Sequence, residues 1–196
     1  MIAIIDGCGA NIASVQFALE RLGKHAFLTT DSAIIRSADY VILPGVGTAK
    51  NAMERLAEYG LVETIQKLEQ PVLGICLGMQ LLYESSEEGN VTGLGIVSGE
   101  VKRFIKNPEL VIPHMGWNKL KKINQSRLLN NIEENNYVYY VHSYVAEVND
   151  FTTAVTSYGE NFTAVVEKNN FYGVQFHPER SGEVGEQILK NFLDMT

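Results

Sequence analysis

The stretch Pro71-Val72-Leu73-Gly74-Ile75-Cys76-Leu77-Gly78-Met79-Gln80-Leu81-Leu82 decides how this chain folds. Val72 to Ile75 is an apolar run opened by Pro71 and predicts a buried strand. Leu77 to Leu82 predicts a helix. Cys76 stands at the junction, with Gly74 and Gly78 two residues to either side. A sharp strand-to-helix elbow crowds the side chains at those two positions, and only a residue without Cβ avoids the clash. Such an elbow strains the backbone of Cys76 and holds its thiol outward. It also leaves the N–H of Leu77 free at a helix N-terminus, where a developing oxyanion is stabilised. A cysteine in an apolar run is otherwise a buried structural thiol. The paired glycines and the change from strand to helix favour the nucleophile.

On the N-terminal side of this stretch the chain alternates strand and helix. Ile2 to Ile5, residues 25–29 and Tyr40 to Leu43 read as strands. Asn11 can cap a helix carrying Ile12, Val15, Leu19 and Leu22 at helical spacing, closed by Gly23. A further helix begins near Thr48, and another carries Leu61, Ile65 and Leu68. Continuous apolar strands between helices predict a mostly parallel sheet covered on both faces, with its site at the C-terminal edge of the strands. On the C-terminal side the pattern changes. Glu84 to Gly93 reads as a polar loop, and 95–104, 137–142, 151–157, 162–167 and 171–176 read as short strands, an antiparallel extension. A last helix starts at Ser181. No linker or repeat divides the chain, so one α/β domain over 1–196 is expected.

Composition narrows the function classes. The 196 residues are 45% hydrophobic and carry a formal net charge of -7. An acidic balance argues against a nucleic-acid surface, and no apolar run is long enough to span a bilayer. Two cysteines, Cys8 and Cys76, suggest no disulfide framework, so a cytoplasmic location is expected. Cys76, His114, His142 and His177 lack the short spacings of a metal site, and neither metal nor cofactor is expected.

A thiol nucleophile needs a base. His177 ends the apolar strand before Pro178, which cannot continue a ladder, and Glu179 follows at once. A carboxylate on one ring nitrogen holds a histidine in one tautomer and makes it a better base. Cys76, His177 and Glu179 therefore form a candidate triad at the ends of strands in one sheet. The loop Pro44-Gly45-Val46-Gly47, also at a strand end, can present an N–H toward the same point, since an oxyanion hole commonly combines the N–H after the nucleophile with one from a neighbouring loop.

Gly74 to Gln80, Pro44 to Gly47 and His177-Pro178-Glu179 together resemble the class I (triad) glutamine amidotransferases. Pro44 to Thr48, Pro113 to Asn118, Tyr140 to Tyr144 and Tyr172 to Gly182 are similar to the glutaminase-subunit family of imidazole glycerol phosphate synthases. The resemblance runs nearly end to end. It implies a flavodoxin-like α/β fold and hydrolysis of L-glutamine by Cys76, His177 and Glu179. It implies an oxyanion hole from Leu77, Val46 and Gly47. It implies a glutamine pocket of Gly45, Gln80, Glu88, Tyr140, Val141, His142 and Ser143. It also implies a (β/α)8-barrel cyclase subunit as partner, meeting Asn11, Pro113, His114, Met115, Gly116, Trp117, Asn118 and Arg180. The cyclase would use the ammonia to make imidazole glycerol phosphate and aminoimidazole carboxamide ribotide in L-histidine biosynthesis. The turn Gly9-Ala10-Asn11 departs from relatives that carry Gly before the Asn. Two other readings stand beside this one: a triad glutaminase serving a different synthase, and a non-catalytic domain that keeps the fold to bind a partner.

Overall fold

A computed structural model describes residues 1–7, 12–105 and 108–195. In chain order the elements are β1 (Ile2–Ile5), α1 (Ile12–Arg21), β2 (Ala26–Thr29), α2 (Ser32–Ser37), β3 (Tyr40–Leu43), α3 (Ala49–Glu58), α4 (Leu61–Gln66), β4 (Val72–Ile75) and α5 (Leu77–Gln80). Then come β5 (Tyr83–Ser86), β6 (Val91–Thr92), β7 (Val97–Arg103), β8 (His114–Lys119), β9 (Lys121–Lys122), β10 (Tyr137–His142) and β11 (Tyr144–Ala146). The chain finishes with β12 (Thr152–Tyr158), β13 (Glu160–Lys168), β14 (Phe171–Val174) and α6 (Gly182–Leu193).

The main sheet runs β2-β1-β3-β4-β14-β13-β12-β9. Its first five strands are parallel and the rest join antiparallel. Alternation along each parallel strand divides the core. Ile2 and Ile4 of β1 pack with Val15 and Leu19 of α1 and Ile188 and Phe192 of α6. Ala3 and Ile5 face the other way, onto Ile35 of α2, Met53 and Leu56 of α3 and Leu61 of α4. Both faces are covered, so these strands read as unbroken apolar runs.

The ends of β4 and β14 are the point of the fold. They are neighbours in register, Gly74 opposite Gly173 and Ile75 opposite Val174, so the residues that follow them emerge side by side. Over this edge lie two smaller sheets, β10-β8 and β11-β7-β5-β6.

Two expectations change, and a stretch given no element from the sequence becomes a strand. The helix after Cys76 stops at Gln80 rather than Leu82. Leu81 and Leu82 are buried in the turn that feeds β5, and burial hides the helix end from an apolar pattern. The supposed polar loop 84–93 contains β5 and β6, with β5 paired to β7; its polar residues sit on a strand whose ends, Tyr83 and Ser86, are buried. Most of the stretch 113–118 lies in β8, paired residue for residue with β10 from His114↔His142 to Lys119↔Tyr137.

Candidate active site

Cys76 has φ 53° and ψ -109°, in the half of backbone space that a Cβ-bearing residue enters only under strain. Neighbours hold it there. Its N–H donates to the Val174 carbonyl at 2.8 Å, and Gln80 N–H closes the turn on the Cys76 carbonyl at 3.2 Å. A Cβ on Gly74 would lie 2.7 Å from the Gly78 carbonyl oxygen, and one on Gly78 only 1.8 Å from the Leu43 carbonyl oxygen. Gly74 is required by the elbow itself. Gly78 is required by β3, whose end carries the Pro44–Gly47 loop.

His177 lies three residues beyond β14. Its N–H donates to the Tyr139 carbonyl at 2.9 Å. Ser181 Oγ donates to the His177 carbonyl at 2.7 Å and accepts from Tyr139 N–H at 3.0 Å. Pro178 opens a single 3-10 turn over Pro178–Arg180, which folds Glu179 back against the ring. His177 Nδ1 and Glu179 Oε1 are 2.8 Å apart, with side chains 5% and 1% exposed. A carboxylate there keeps the proton on Nδ1 and leaves Nε2 to act on Cys76. Burial by itself would lower the histidine's proton affinity. The Cys76 sulfur and the Glu179 carboxylate outweigh it and push the pKa up to about 10. A ring with that proton affinity is suited to take a proton from Cys76.

Cys76 and His177 share a cavity of about 420 Å³, and Glu179 is not part of its wall. Gly45, Val46, Gly47, Leu77, Gln80, Glu88, Val141, His142, Ser143, Pro113 and Arg180 also line it. Gln80 spends both amide hydrogens inside the protein, on Tyr144 O and Gln175 Oε1, each at 2.9 Å, so its Oε1 is the atom left for a ligand. Glu88 Oε2 accepts from Ala49 N–H at 2.8 Å, at the start of α3. Burial raises the Glu88 pKa, and that bond opposes the rise. Tyr140 departs from its expected role. It is fully buried, its hydroxyl lies 2.6 Å from Thr156 Oγ1, and it is not part of the cavity wall.

The strand β8 sorts the expected partner-facing residues by alternation. Met115 and Trp117 are 63% and 54% exposed. The Trp117 ring meets Tyr139 edge-on at 5.9 Å, and the Arg180 guanidinium lies over Tyr139 at 5.5 Å. Gly116 and Asn118 are half-buried. His114, expected to meet the partner, is buried and points inward. Its Nδ1 is 2.9 Å from His142 Nε2, and His142 Nδ1 is 2.9 Å from the Tyr144 carbonyl. A carbonyl only accepts, so the protons are fixed: His142 Nδ1–H donates to Tyr144, and His114 Nδ1–H donates to His142 Nε2. His114 Nε2 then accepts from Asn118 Nδ2 at 3.3 Å. Burial holds both rings neutral, with pKa values pushed down to about 4 for His114 and about 3 for His142. Asn11 and Cys8 lie outside the described residues.

Two residues at this site escaped sequence reasoning. Ser181 was seen only as a helix start. Gln175 is fully buried and points its amide at Cys76 Sγ, 3.8 Å away. The signal for it was present: one amide inside the apolar run Val174-Gln175-Phe176.

Fold and site together define an α/β enzyme with a cysteine on a strand–helix elbow and a His–Glu pair just past the end of the neighbouring strand. Residues 7–195 match the family described as glutamine amidotransferase class-I. The chain is 52% identical over 193 residues to the imidazole glycerol phosphate synthase subunit HisH of Haemophilus influenzae, covering 98% of this chain and 96% of that one. It is 49% identical over 195 residues to the HisH subunit of Bacteroides fragilis, covering 99% of each. A crystal structure of a glutamine amidotransferase superposes with a TM-score of 0.76 at 17% identity, covering 98% of this chain and 97% of that one. The chain belongs to the class-I glutamine amidotransferases, and within them to the HisH family of imidazole glycerol phosphate synthase subunits.

Proposed function

We propose that this chain hydrolyses glutamine to glutamate and ammonia and passes the ammonia to a (β/α)8-barrel cyclase subunit in histidine biosynthesis. The observation that carries the catalytic reading is the buried His177–Glu179 pair at 2.8 Å, with His177 and a strained Cys76 lining one cavity. Family membership supports the substrate and the pathway. His177 Nε2 takes the Cys76 proton, and the sulfur attacks the side-chain amide carbon of glutamine. The N–H of Leu77 and one from Val46–Gly47 receive the oxyanion. The C–N bond breaks, and ammonia leaves with the proton from His177. Water, giving a proton to His177, then cleaves the thioester to glutamate and restores the thiol. Glu179 orients the ring throughout. Gln80 Oε1 and Glu88 are acceptors suited to the α-amino end of glutamine.

The face bearing Met115, Trp117 and Arg180 suits the cyclase. Large apolar side chains exposed beside an arginine–tyrosine stack are the composition of an interface anchor. Arg180 belongs both to this face and to the cavity wall, and β10, which lends Val141 and His142 to the wall, pairs with β8; both support a short route for ammonia to a partner seated there. Action in the cytoplasm is part of the same proposal. Among the described residues no helix is long and apolar enough to cross a membrane.

The test is glutamate release by the chain alone, with the cyclase, and with the cyclase plus its nucleotide substrate. Release that depends on the complete mixture, and disappears in Cys76→Ala while ammonia-driven synthesis persists, is the expected result. Loss of both activities in Cys76→Ala, with the complex intact, would make Cys76 structural.

A further inference from the structure

We propose that Gln175 is a further catalytic residue, whose side-chain amide holds the ionised Cys76 sulfur in position for attack. The inference rests on Cys76 being the nucleophile. Its geometry follows from one carbonyl. Tyr144 O can only accept, so the Gln80 atom 2.9 Å from it is Nε2. The same Nε2 lies 2.9 Å from Gln175, so the Gln175 atom that meets it is Oε1. That leaves Gln175 Nε2 facing Cys76 Sγ at 3.8 Å. Turning the Gln175 amide over would set one NH2 against another.

Burial makes this contact more than incidental. Gln175 is 0% exposed, and Sγ is the partner found for its Nε2 among the described residues. A buried amide donor without an acceptor is costly, and an apolar side chain of the same shape would avoid the cost. The sulfur also has an opposite neighbour, the Val141 carbonyl at 3.7 Å. A carbonyl serves the S–H of a thiol and repels a thiolate; an amide N–H does the reverse. When the proton moves from Sγ to His177 Nε2, the sulfur exchanges Val141 for Gln175. It keeps a hydrogen-bond partner in both states without moving.

The test uses the full chain with Cys8→Ser, so that Cys76 is the one thiol. The pH dependence of Cys76 alkylation by iodoacetamide is read by intact mass. Gln175→Met keeps the length and removes the donor. It should raise the midpoint by about 1 pH unit, the value of a hydrogen bond to a charged group. Gln175→Glu keeps the acceptor for Gln80 but sets a carboxylate against the sulfur, and should raise it further. Unchanged midpoints in folded variants would overturn the role of Gln175 and leave the nucleophile standing. Failure of the parent chain to alkylate at any pH would overturn the nucleophile reading and this one with it. Should both variants fail to fold, the Gln175 side-chain amide in the ¹⁵N-labelled parent decides. Its resonances should shift with the alkylation midpoint and stay still in Cys76→Ala; resonances indifferent to Cys76 ionisation would refute the role.

Discussion

Replacing Gly78 with alanine tests how the nucleophile elbow is held. The new Cβ would sit 1.8 Å from the Leu43 carbonyl oxygen, where real Cβ contacts essentially never fall under 3.0 Å, and 2.7 Å from the Leu43 carbonyl carbon. Both are backbone atoms at the end of a central strand, so no side chain can swing aside. Either α5 moves away from β3, or the end of β3 moves with the Pro44–Gly47 loop behind it. Overpacking of this kind costs about 1–3 kcal/mol, and a clash with backbone belongs at the upper end. Urea denaturation should show a loss of about 3 kcal/mol. Both ways of relieving the clash alter the distance between Leu77 N–H and the Val46–Gly47 N–H, and a misplacement of about 1 Å can cost roughly a hundredfold in rate. Gly45→Ala should behave similarly, since its Cβ would lie 2.8 Å from both Gly78 N and Leu77 Cβ. The double variant should cost less than the two single losses added, because one displacement relieves both clashes. A Gly78→Ala chain within about 0.5 kcal/mol of the parent, inside the range of neutral surface changes, and fully active with the cyclase would refute this account of the elbow.

Two further predictions follow from the buried histidines and the exposed strand face. Because His114 and His142 are held neutral to about pH 4 and about pH 3, the unfolded chain binds their protons first as pH falls below its own value of roughly 6.5. Stability is then full above that pH and declines by up to about 1.4 kcal/mol per pH unit for each ring down to its folded pKa; urea melts from pH 7 to 4 should show a steeper decline than in His114→Phe/His142→Leu, and equal slopes would count against the assignment. Trp117→Ala should weaken cyclase binding by about 2 kcal/mol, the scale of an interface anchor, with little change in the subunit's own urea midpoint; calorimetric titration showing unchanged affinity would remove Trp117 from the interface.

The residues that carry the proposed chemistry were legible before any coordinates. Gly74, Cys76 and Gly78 declare an elbow: at Gly74 the clash is local, with Gly78 and Met79, while at Gly78 it is with Leu43 at the end of β3. His177-Pro178-Glu179 is similarly local: the proline ends the strand, and one 3-10 turn brings the carboxylate to the ring. The parallel half of the sheet was readable because β1, β3, β4 and β14 are buried on both faces. The antiparallel half was less so. β5 and β8 look like loops because polar residues fill them: Glu84, Ser85 and Ser86 in the first, His114, Asn118 and Lys119 in the second.

Only the tertiary structure decided the rest. The side on which His114 lies depends on its register with His142, and alternation alone does not say which face is inward. Tyr140 follows the same logic, spent on Thr156 instead of the cavity. Glu88 gains its place from the start of α3, and Gln175 gains its orientation from the carbonyl of Tyr144. A sequence determines what its neighbouring residues must do to one another. Which distant groups share a hydrogen bond, and which atom of an amide meets a sulfur, is settled when the strands are laid side by side.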